Sequence, residues 1–241
     1  MANTCIIIPC YNEASRIAFS EFQNFIEKQT DIDLYFVNDG STDDTQNIIN
    51  SLAKLASNTK ALHLTKNVGK AEAIRQAVLQ LDTVYKRIGY LDADLSTSLQ
   101  EIERLNAIAI KNNKPFVMGS RVKLADTQID RRLKRHYSGR IIATYIDTFI
   151  LKLGIYDTQC GAKIIEYRLA KDLFKQPFKT KWLFDVELIL RAKLSYGTSY
   201  CLDNITEIPL KTWKDIGKSK ITGFDIMKLP IDFFKIHKHY R

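Results

Sequence analysis

Long hydrophobic runs are missing from this 241-residue sequence. No apolar stretch approaches the roughly 18 to 20 residues that a helix needs to cross a bilayer. The opening MANTCIIIPCYNE has no basic region before its very short apolar stretch, so we expect no signal peptide. Internal repeats, low-complexity tracts and linkers rich in proline, glycine or serine are also missing, which excludes repeat architectures.

Cysteine is scarce, and its spacing carries no motif. The four residues Cys5, Cys10, Cys160 and Cys201 form no CxxC pair and no metal-ligand pattern. Because we expect no export signal, we predict free thiols in a reducing compartment and a cytoplasmic protein. A basic, glycine-rich phosphate loop after the first predicted strand is also absent, which argues against a nucleotidyltransferase.

The sequence has more basic than acidic residues, so it carries an excess of positive charge. The formal net charge is +9. Residues 121–140 and residues 211–241 each carry a net charge of +5, so the rest of the chain is close to neutral. Charge concentrated in this way indicates an anionic partner, such as nucleic acid, a phosphorylated substrate or an acidic lipid surface, unless both segments are simply solvated helix faces.

Short apolar strands alternate with helical stretches over the first 120 residues, which predicts an α/β fold with a mostly parallel central sheet flanked by helices. The predicted strands are Thr4–Pro9, Ile32–Asn38, Ala61–Leu64, Ile88–Leu91 and Phe116–Gly119. The predicted helices lie near 15–29, 42–57, 70–82 and 98–112. In such sheets, ligands bind beyond the carboxyl ends of the strands.

The second half of the chain is less regular. We predict a basic helix over about 131–152, a short strand after Gly161, and helices near 167–175 and 183–196. Two β-branched runs, Thr198–Leu202 and Ile205–Leu210, predict further strands.

Polar residues follow the first three predicted strands. The first strand ends in Pro9-Cys10-Tyr11-Asn12-Glu13 and the second in Asn38-Asp39-Gly40. Ser41 can cap the next helix, but capping does not account for Asp39, whose carboxylate can accept a hydrogen bond from a base or a ribose hydroxyl. Lys70 opens the third helix, where a phosphate could be held, although a plain helix start explains it as well.

Asp92 and Asp94 directly follow the fourth predicted strand. Two carboxylates two residues apart in an extended chain point to the same side, and their mutual repulsion requires a nearby cation. A hard divalent ion that bridges diphosphate oxygens is the obvious candidate. A nucleic-acid-binding protein would leave this pair unexplained, so the sequence predicts a metal site and no nucleic-acid partner.

The order of the motifs is specific. PCYNE, VNDGSTDDT, NVGKAEAIRQA, YLDADLS, GSR, DTQCGAK, WLFDVELILRA and GKSK together resemble the family 2 glycosyltransferases of the GT-A fold over about residues 4–220. Within this family they are most similar to the enzymes that use a polyprenyl phosphate, first the dolichyl-phosphate β-glucosyltransferases and next the dolichol-phosphate mannose synthases. The resemblance implies one GT-A catalytic domain over 1–220. The mixture of apolar and basic residues after it predicts an amphipathic helical segment over 221–241.

The resemblance also implies an activity and the residues that carry it. A nucleotide sugar, expected to be UDP-linked, would give glucose or a related hexose with inversion to a polyprenyl or dolichyl phosphate. The positions that match nucleotide contacts are Pro9, Tyr11, Glu13 and Asp39. Asp92 and Asp94 match the positions that bind Mg²⁺ or Mn²⁺ and the donor diphosphate. Five further residues resemble groups that hold a donor or acceptor phosphate: Arg121, Arg135, Ser138, Lys218 and Lys220. Asp157 and Asp185 match acidic positions near the transferred sugar.

Two alternatives remain open. A phosphate acceptor, with a second pKa of roughly 6, is already ionised near neutral pH and needs little help from a base. A hydroxyl of a glycan or a cell-surface polysaccharide precursor would need one, and Asp185 is then the first choice and Asp157 the second. The segment 221–241 mixes apolar and basic residues, so it could lie in a lipid interface on the inner face of a membrane or pack on the catalytic domain.

Overall fold

The structure, a computed structural model, describes residues 3–28, 31–130, 144–216 and 223–240. Its first half consists of β1 (Thr4–Cys10), α1 (Phe19–Glu27), β2 (Ile32–Asp39), α2 (Thr45–Ala53), β3 (Thr59–Leu64), α3 (Lys70–Gln80), β4 (Arg87–Tyr90), α4 (Leu99–Lys111) and β5 (Phe116–Ser120). Its second half consists of β6 (Gln128–Asp130), a π-helical turn (Ile146–Leu151), β7 (Lys163–Glu166), α5 (Tyr167–Phe174), α6 (Phe184–Tyr196), α7 (Thr198–Asn204), β8 (Ile205–Pro209), β9 (Thr212–Lys214) and α8 (Gly223–His239).

Seven of the strands form one sheet in the order β3-β2-β1-β4-β7-β5-β8, and β6 pairs with β9 beside it. Strand β7 runs antiparallel to both of its neighbours, whereas the other pairs in the large sheet are parallel. The predicted α/β fold with a mostly parallel sheet is therefore confirmed. Because β7 runs the other way, its first residue lies opposite Tyr90 and Met118, and the loop before it reaches the edge where the parallel strands end.

Two apolar layers cover the two faces of the sheet, and the side chains of β1 point alternately into one layer and the other. Cys5 and Ile7 point into the layer that contains α3, α5, α6, the π-helical turn and the last turns of α8. Ile6 and Ile8 point into the layer that contains α1, α2 and α4. All four cysteines are buried and free, as the sequence predicted. Within the described ranges, no helix combines the length and the apolar character that a membrane span requires.

The prediction of a strand at Thr198–Leu202 is wrong, because this segment forms helix α7. Its apolar side chains do not face one sheet surface: Cys201 is buried whereas Leu202 is exposed. The predicted helix over 131–152 lies mostly outside the described residues, and the part that is described is the π-helical turn. The other predicted elements are confirmed with small shifts of their ends.

The turn after β2 requires glycine at position 40. Gly40 has a φ of +63°, and a Cβ atom there would overlap the backbone of Lys66 and lie 2.5 Å from the amide nitrogen of Asn67. The turn is thus packed directly against the segment that leads into α3.

Replacing Gly40 with alanine should therefore lower the free energy of unfolding more than replacing Gly154 does. Both glycines have positive φ angles, so strain alone costs each alanine variant about 1–2 kcal/mol. At Gly154, no described atom lies within 4 Å of an added Cβ, whereas the Gly40 variant also has to move backbone. Urea unfolding followed by circular dichroism measures both losses, and equal losses would contradict the close packing at Gly40.

Candidate functional site

The segments that follow β1 and β2 are joined at the carboxyl edge of the sheet. The Asn12 amide donates to Ser41 Oγ over 3.0 Å, and the Thr42 amide donates to Asn12 Oδ1 over 2.8 Å. Ser41 therefore does not cap a helix as predicted, since α2 begins only at Thr45. Asn12 at φ 49° and Leu95 at φ 52° both adopt the left-handed region, a strain that clusters at functional sites.

Asp39 lies buried at the end of β2 and holds the start of α3. Its carboxylate accepts the amides of Val68 and Gly69 over 2.7 Å and 2.9 Å, and the Asn67 side chain over 3.0 Å. Burial raises the pKa of Asp39, and these donors oppose the shift only in part. The carboxylate thus has a structural task, and its predicted contact with a nucleotide stays a prediction.

Asp92 is paired with Lys70, the first residue of α3. The Lys70 ammonium lies 2.5 Å from Asp92 Oδ1 and close to the rings of Tyr90 and Phe184. Burial alone would lower the pKa of Lys70, but the nearby carboxylates of Asp92 and Asp185 outweigh it, so the pKa is raised and the group stays charged. On the other side of Asp92, a Cβ atom at Gly161 would overlap its carboxylate.

Asp94 is paired with Arg16, a residue that the sequence reading missed. Arg16 Nη2 lies 2.6 Å from Asp94 Oδ2, and Arg16 Nε lies 3.4 Å from Glu13 Oε2. The other Asp94 oxygen accepts the Ser96 amide over 3.0 Å. The only signal for Arg16 in the sequence is its position three residues after Glu13.

Asp92 and Asp94 offer oxygen ligands of the kind that Mg²⁺ and Mn²⁺ prefer. Among the residues that the structure describes, no group of three or more histidine, cysteine or acidic side chains is placed to hold a metal. Magnesium commonly uses only one or two carboxylates and takes its other ligands from substrate phosphates and water. The two carboxylates therefore fit such an ion when a diphosphate is present. Asp92 would then contact both the ion and Lys70, and Asp94 both the ion and Arg16.

Asp157 forms a bidentate salt bridge with Arg121. Arg121 Nε and Nη2 donate to the two Asp157 oxygens over 2.7 Å and 2.8 Å, and the Arg121 amide donates as well. Burial would lower the pKa of Arg121, but the Asp157 charge outweighs it and raises the pKa. Glu207, which the sequence reading also missed, accepts the amides of Tyr156 and Asp157 over 2.8 Å and 2.6 Å, so β8 fixes this loop.

Asp185 is paired with Lys163, the first residue of β7. The buried Lys163 ammonium donates to Asp185 Oδ1 over 2.6 Å and to the carbonyls of Thr158 and Cys160 over 3.0 Å and 2.7 Å. The Tyr90 hydroxyl donates to the same Asp185 oxygen over 2.5 Å. Burial, and next the charge of Asp185, raises the pKa of Tyr90, which keeps this hydroxyl protonated.

Lys163 and Tyr90 were not singled out from the sequence. Two features of the sequence point to them. Lys163 is a lysine next to the apolar residues of β7, and Tyr90 lies two residues before Asp92. Through Lys163, one ammonium ties the loop Asp157–Gly161 to the start of α6. Burial raises the pKa of the neighbouring Cys160 to about 11, so this residue is a neutral thiol near pH 7.

Three buried polar atoms of the same region have no hydrogen-bond partner among the described residues. They are Ser120 Oγ, Thr158 Oγ1 and Gln159 Nε2. A buried polar atom without a partner costs stability, so these atoms mark a place where a polar ligand or water is expected. They lie at the end of β5 and in the loop before β7, beside Arg121 and Asp157.

The remaining predicted site residues divide into two groups. Pro9 lies at the end of β1, Tyr11 is exposed beyond it, and Glu13 is buried next to Arg16. Arg135, Ser138, Lys218 and Lys220 lie outside the described residues. Their predicted phosphate contacts therefore stay predictions.

The sequence of the chain is similar to those of known proteins. A model of the family described as "Glycosyl transferase family 2" matches residues 5–174. The chain is 30% identical to a dolichyl-phosphate beta-glucosyltransferase of Trichomonas vaginalis, with 99% of this chain and 72% of that protein covered. It is 31% identical to the dolichyl-phosphate beta-glucosyltransferase of Dictyostelium discoideum, with 98% and 74% covered.

The solved structures show the same fold at lower sequence similarity. Glucosyl-3-phosphoglycerate synthase from Mycobacterium tuberculosis, in complex with Mn²⁺ and UDP-glucose, superimposes with a TM-score of 0.72 at 14% identity. The match covers 99% of this chain and 79% of that one. A second structure of this synthase from Mycobacterium tuberculosis superimposes with a TM-score of 0.70 at 14% identity.

Replacing Lys163 with methionine should lower the free energy of unfolding by about 3–5 kcal/mol, because the buried Asp185 carboxylate would lose its cation. Adding Asp185→Asn should restore much of the loss. The control is Lys235→Met, which removes an exposed ammonium that lies 3.4 Å from the carboxylate of Asp232 and should cost less, because that ammonium is solvated. Urea unfolding of the four proteins measures these effects, and similar losses for the two single lysine variants would show that the buried pair has no special role.

Proposed function

Because the chain belongs to glycosyl transferase family 2, we propose that it transfers glucose or a related hexose, with inversion, from a UDP-linked donor to a polyprenyl or dolichyl phosphate. The named activities of the two curated relatives support the acceptor, and the ligands of the structural neighbour support the donor. The observation that carries the proposal is the commitment of both candidate bases, Asp157 and Asp185, to ion pairs inside the protein.

A phosphate acceptor suits this arrangement because it needs no base. Asp185 Oδ1 already accepts from Lys163 and Tyr90, and Asp157 accepts from Arg121 through both oxygens. An ionised phosphate oxygen can attack the anomeric carbon without giving up a proton. A glycan hydroxyl would have to pass its proton to one of these occupied, buried carboxylates.

In this proposal, different cations of the site bind the acceptor phosphate and the leaving diphosphate. Arg121 uses two of its five N–H groups on the Asp157 side chain, and its other donors can hold the acceptor phosphate. Asp92 and Asp94 would hold Mg²⁺ or Mn²⁺, which would supply positive charge next to the leaving diphosphate. Lys70 adds a second positive charge beside Asp92.

The unpartnered hydroxyls of Ser120 and Thr158 are proposed contacts of the bound substrates. Both are buried beside the ion pair of Arg121 with Asp157. A sugar or phosphate oxygen placed there would provide the hydrogen-bond partner that these two hydroxyls lack among the described residues. The four free thiols support a cytosolic location for the domain, with the lipid phosphate reached at the inner face of a membrane.

The purified protein, incubated with UDP-glucose, dolichyl phosphate and Mn²⁺, should form dolichyl phosphate glucose detectable by mass spectrometry. Asp92→Asn should lower the rate at least about 100-fold, because a charge-stabilising group is lost. Asp185→Asn should lower it by less than about tenfold, since loss of a general base would cost 100-fold or more. Transfer to a glycan hydroxyl but not to dolichyl phosphate would contradict the proposal.

Thr158→Val should leave the free energy of unfolding unchanged or raise it, because it removes an unpartnered hydroxyl without changing the side chain's shape. The transfer rate should nevertheless fall. Thr4→Val is the matched control, since Thr4 is equally buried but donates to Asn106 over 3.0 Å. That variant should lose about 1–3 kcal/mol of stability by leaving Asn106 unpaired and keep its rate. Loss of stability with an unchanged rate in Thr158→Val would refute the assignment.

A further inference from the structure

Trp213, the middle residue of β9, lies against the guanidinium group of Arg121. The Arg121 Cζ atom lies 5.5 Å from the centroid of the Trp213 ring, within the distance at which a cation and an aromatic face attract each other. Trp213 is buried and belongs to the apolar layer of α1, α2 and α4. The sequence reading did not single out this residue. An aromatic ring thus lies beside the cation that is proposed to hold the acceptor phosphate.

Two contacts fix the orientation of the Arg121 side chain. The Asp157 carboxylate accepts from its Nε and Nη2 atoms, and this bidentate salt bridge sets which edge of the guanidinium group faces the acid. The Trp213 ring limits the movement of the group on another side. Three of the five guanidinium N–H groups are not used by the Asp157 side chain. Loss of the ring should therefore let these three N–H groups change direction.

Backbone hydrogen bonds bring the ring and the guanidinium group together. The Leu210 amide donates over 2.9 Å to the carbonyl of Ser120, the residue directly before Arg121. Three residues later in the chain, Trp213 lies opposite Ile129 in the parallel pair of β6 and β9. The contact therefore depends on strand pairing at the end of β5 and not on a flexible surface segment.

The backbone of β9 and of the residues after it is also bonded to the other side of the candidate site. The Lys214 amide donates to the Ser96 carbonyl over 3.0 Å, and Arg16 Nη2 donates to the Ile216 carbonyl over 3.3 Å. Arg16 is also the cation that pairs with Asp94. These bonds use main-chain atoms of β9 and its continuation, so a change of the ring alone should leave them in place.

We propose that Trp213 is a positioning residue for the acceptor phosphate. Its ring holds the Arg121 guanidinium group so that the N–H groups left unused by Asp157 point to one phosphate position. The inference rests on the proposed function, because it takes Arg121 as the group that binds the acceptor. Without the ring, Arg121 keeps its charge and its salt bridge but is less well preorganised, and a phosphate binds less tightly. The donor diphosphate, placed at Asp92 and Asp94, should bind as before.

Isothermal titration calorimetry of the full chain with citronellyl phosphate, a short, water-soluble isoprenoid monophosphate, tests the proposal in the presence of UDP and Mn²⁺. Trp213→Leu removes the aromatic face and should raise the Kd of this probe about three- to thirtyfold, the factor that a cation–π contact contributes. Trp213→Phe keeps a ring and should give a Kd between those of the wild type and the leucine variant. The Kd of UDP should be the same in all three proteins.

Phe22→Leu is the matched control. Phe22 is a fully buried aromatic residue of the same apolar layer, but it lies on α1, where its ring contacts Phe36 at 5.1 Å. This variant should also lose stability in urea unfolding, yet it should leave the Kd of the probe unchanged. A double-mutant cycle of Trp213→Phe with Arg121→Lys adds a second readout. The combined rise in Kd should be smaller than the product of the two single effects, because both residues act on one contact with the phosphate.

An unchanged Kd of citronellyl phosphate in Trp213→Leu would overturn the proposal. So would a parallel rise in the Kd of UDP, a rise of the same size in Phe22→Leu, or independent effects in the double-mutant cycle. Transfer of glucose to the same probe by the wild type separates this inference from the proposed function. Weakened binding in Trp213→Leu without any transfer by the wild type overturns only the function, and transfer with unchanged binding in Trp213→Leu overturns only the positioning role.

Discussion

Each acid that the sequence predicts near the transferred sugar and its metal is held by one cation from a distant part of the chain. Arg16 pairs with Asp94, Lys70 with Asp92, Arg121 with Asp157 and Lys163 with Asp185. The partners lie 78, 22, 36 and 22 residues apart in the sequence. Asp157 and Asp185 are buried, and buried carboxylates are costly unless they are paired. Asp92 and Asp94 are only partly buried, and their cations offset the repulsion between the two carboxylates. Two of the four ion pairs join the segment after β1 and the start of α3 to the segment after β4. The other two join the segment after β5 to the loop before β7, and the start of β7 to the start of α6.

The four ion pairs add no net charge to the site, which constrains what can bind there. A donor diphosphate and an acceptor phosphate both bring negative charge, and additional positive charge is needed to hold them. A divalent ion at Asp92 and Asp94 would provide part of that charge. The basic segments 121–140 and 211–241, each with a net charge of +5, would provide more. The excess of lysine and arginine in the composition thus fits phosphorylated substrates and an anionic bilayer rather than nucleic acid.

The sequence predicted the framework of the site but not its internal contacts. Apolar runs and the polar residues after them located β1, β2 and β4 and placed Asp39, Asp92 and Asp94 at one edge, because parallel strands end together. It did not predict that Asp39 holds the start of α3 or that Lys163 holds Asp185. The position of Lys163 follows from the reversed direction of β7, which puts the first residue of this strand opposite Tyr90. The contacts of Asp39 follow from the pairing of β2 with β3, and no local pattern reveals either arrangement. The segment at 198–202 was misjudged because β-branched character is a weak guide when tertiary packing decides between strand and helix.

The central claim is that the acceptor is a phosphate, because the carboxylates that could serve as a base are committed to cations. The most direct test is ³¹P nuclear magnetic resonance of a short-chain polyprenyl phosphate during reaction with UDP-glucose, with the anomeric configuration read from the proton spectrum of the product. The account predicts conversion of the phosphomonoester signal into a phosphodiester signal with a β-linked sugar. A product in which the phosphomonoester stays intact and glucose is attached to a hydroxyl would contradict it.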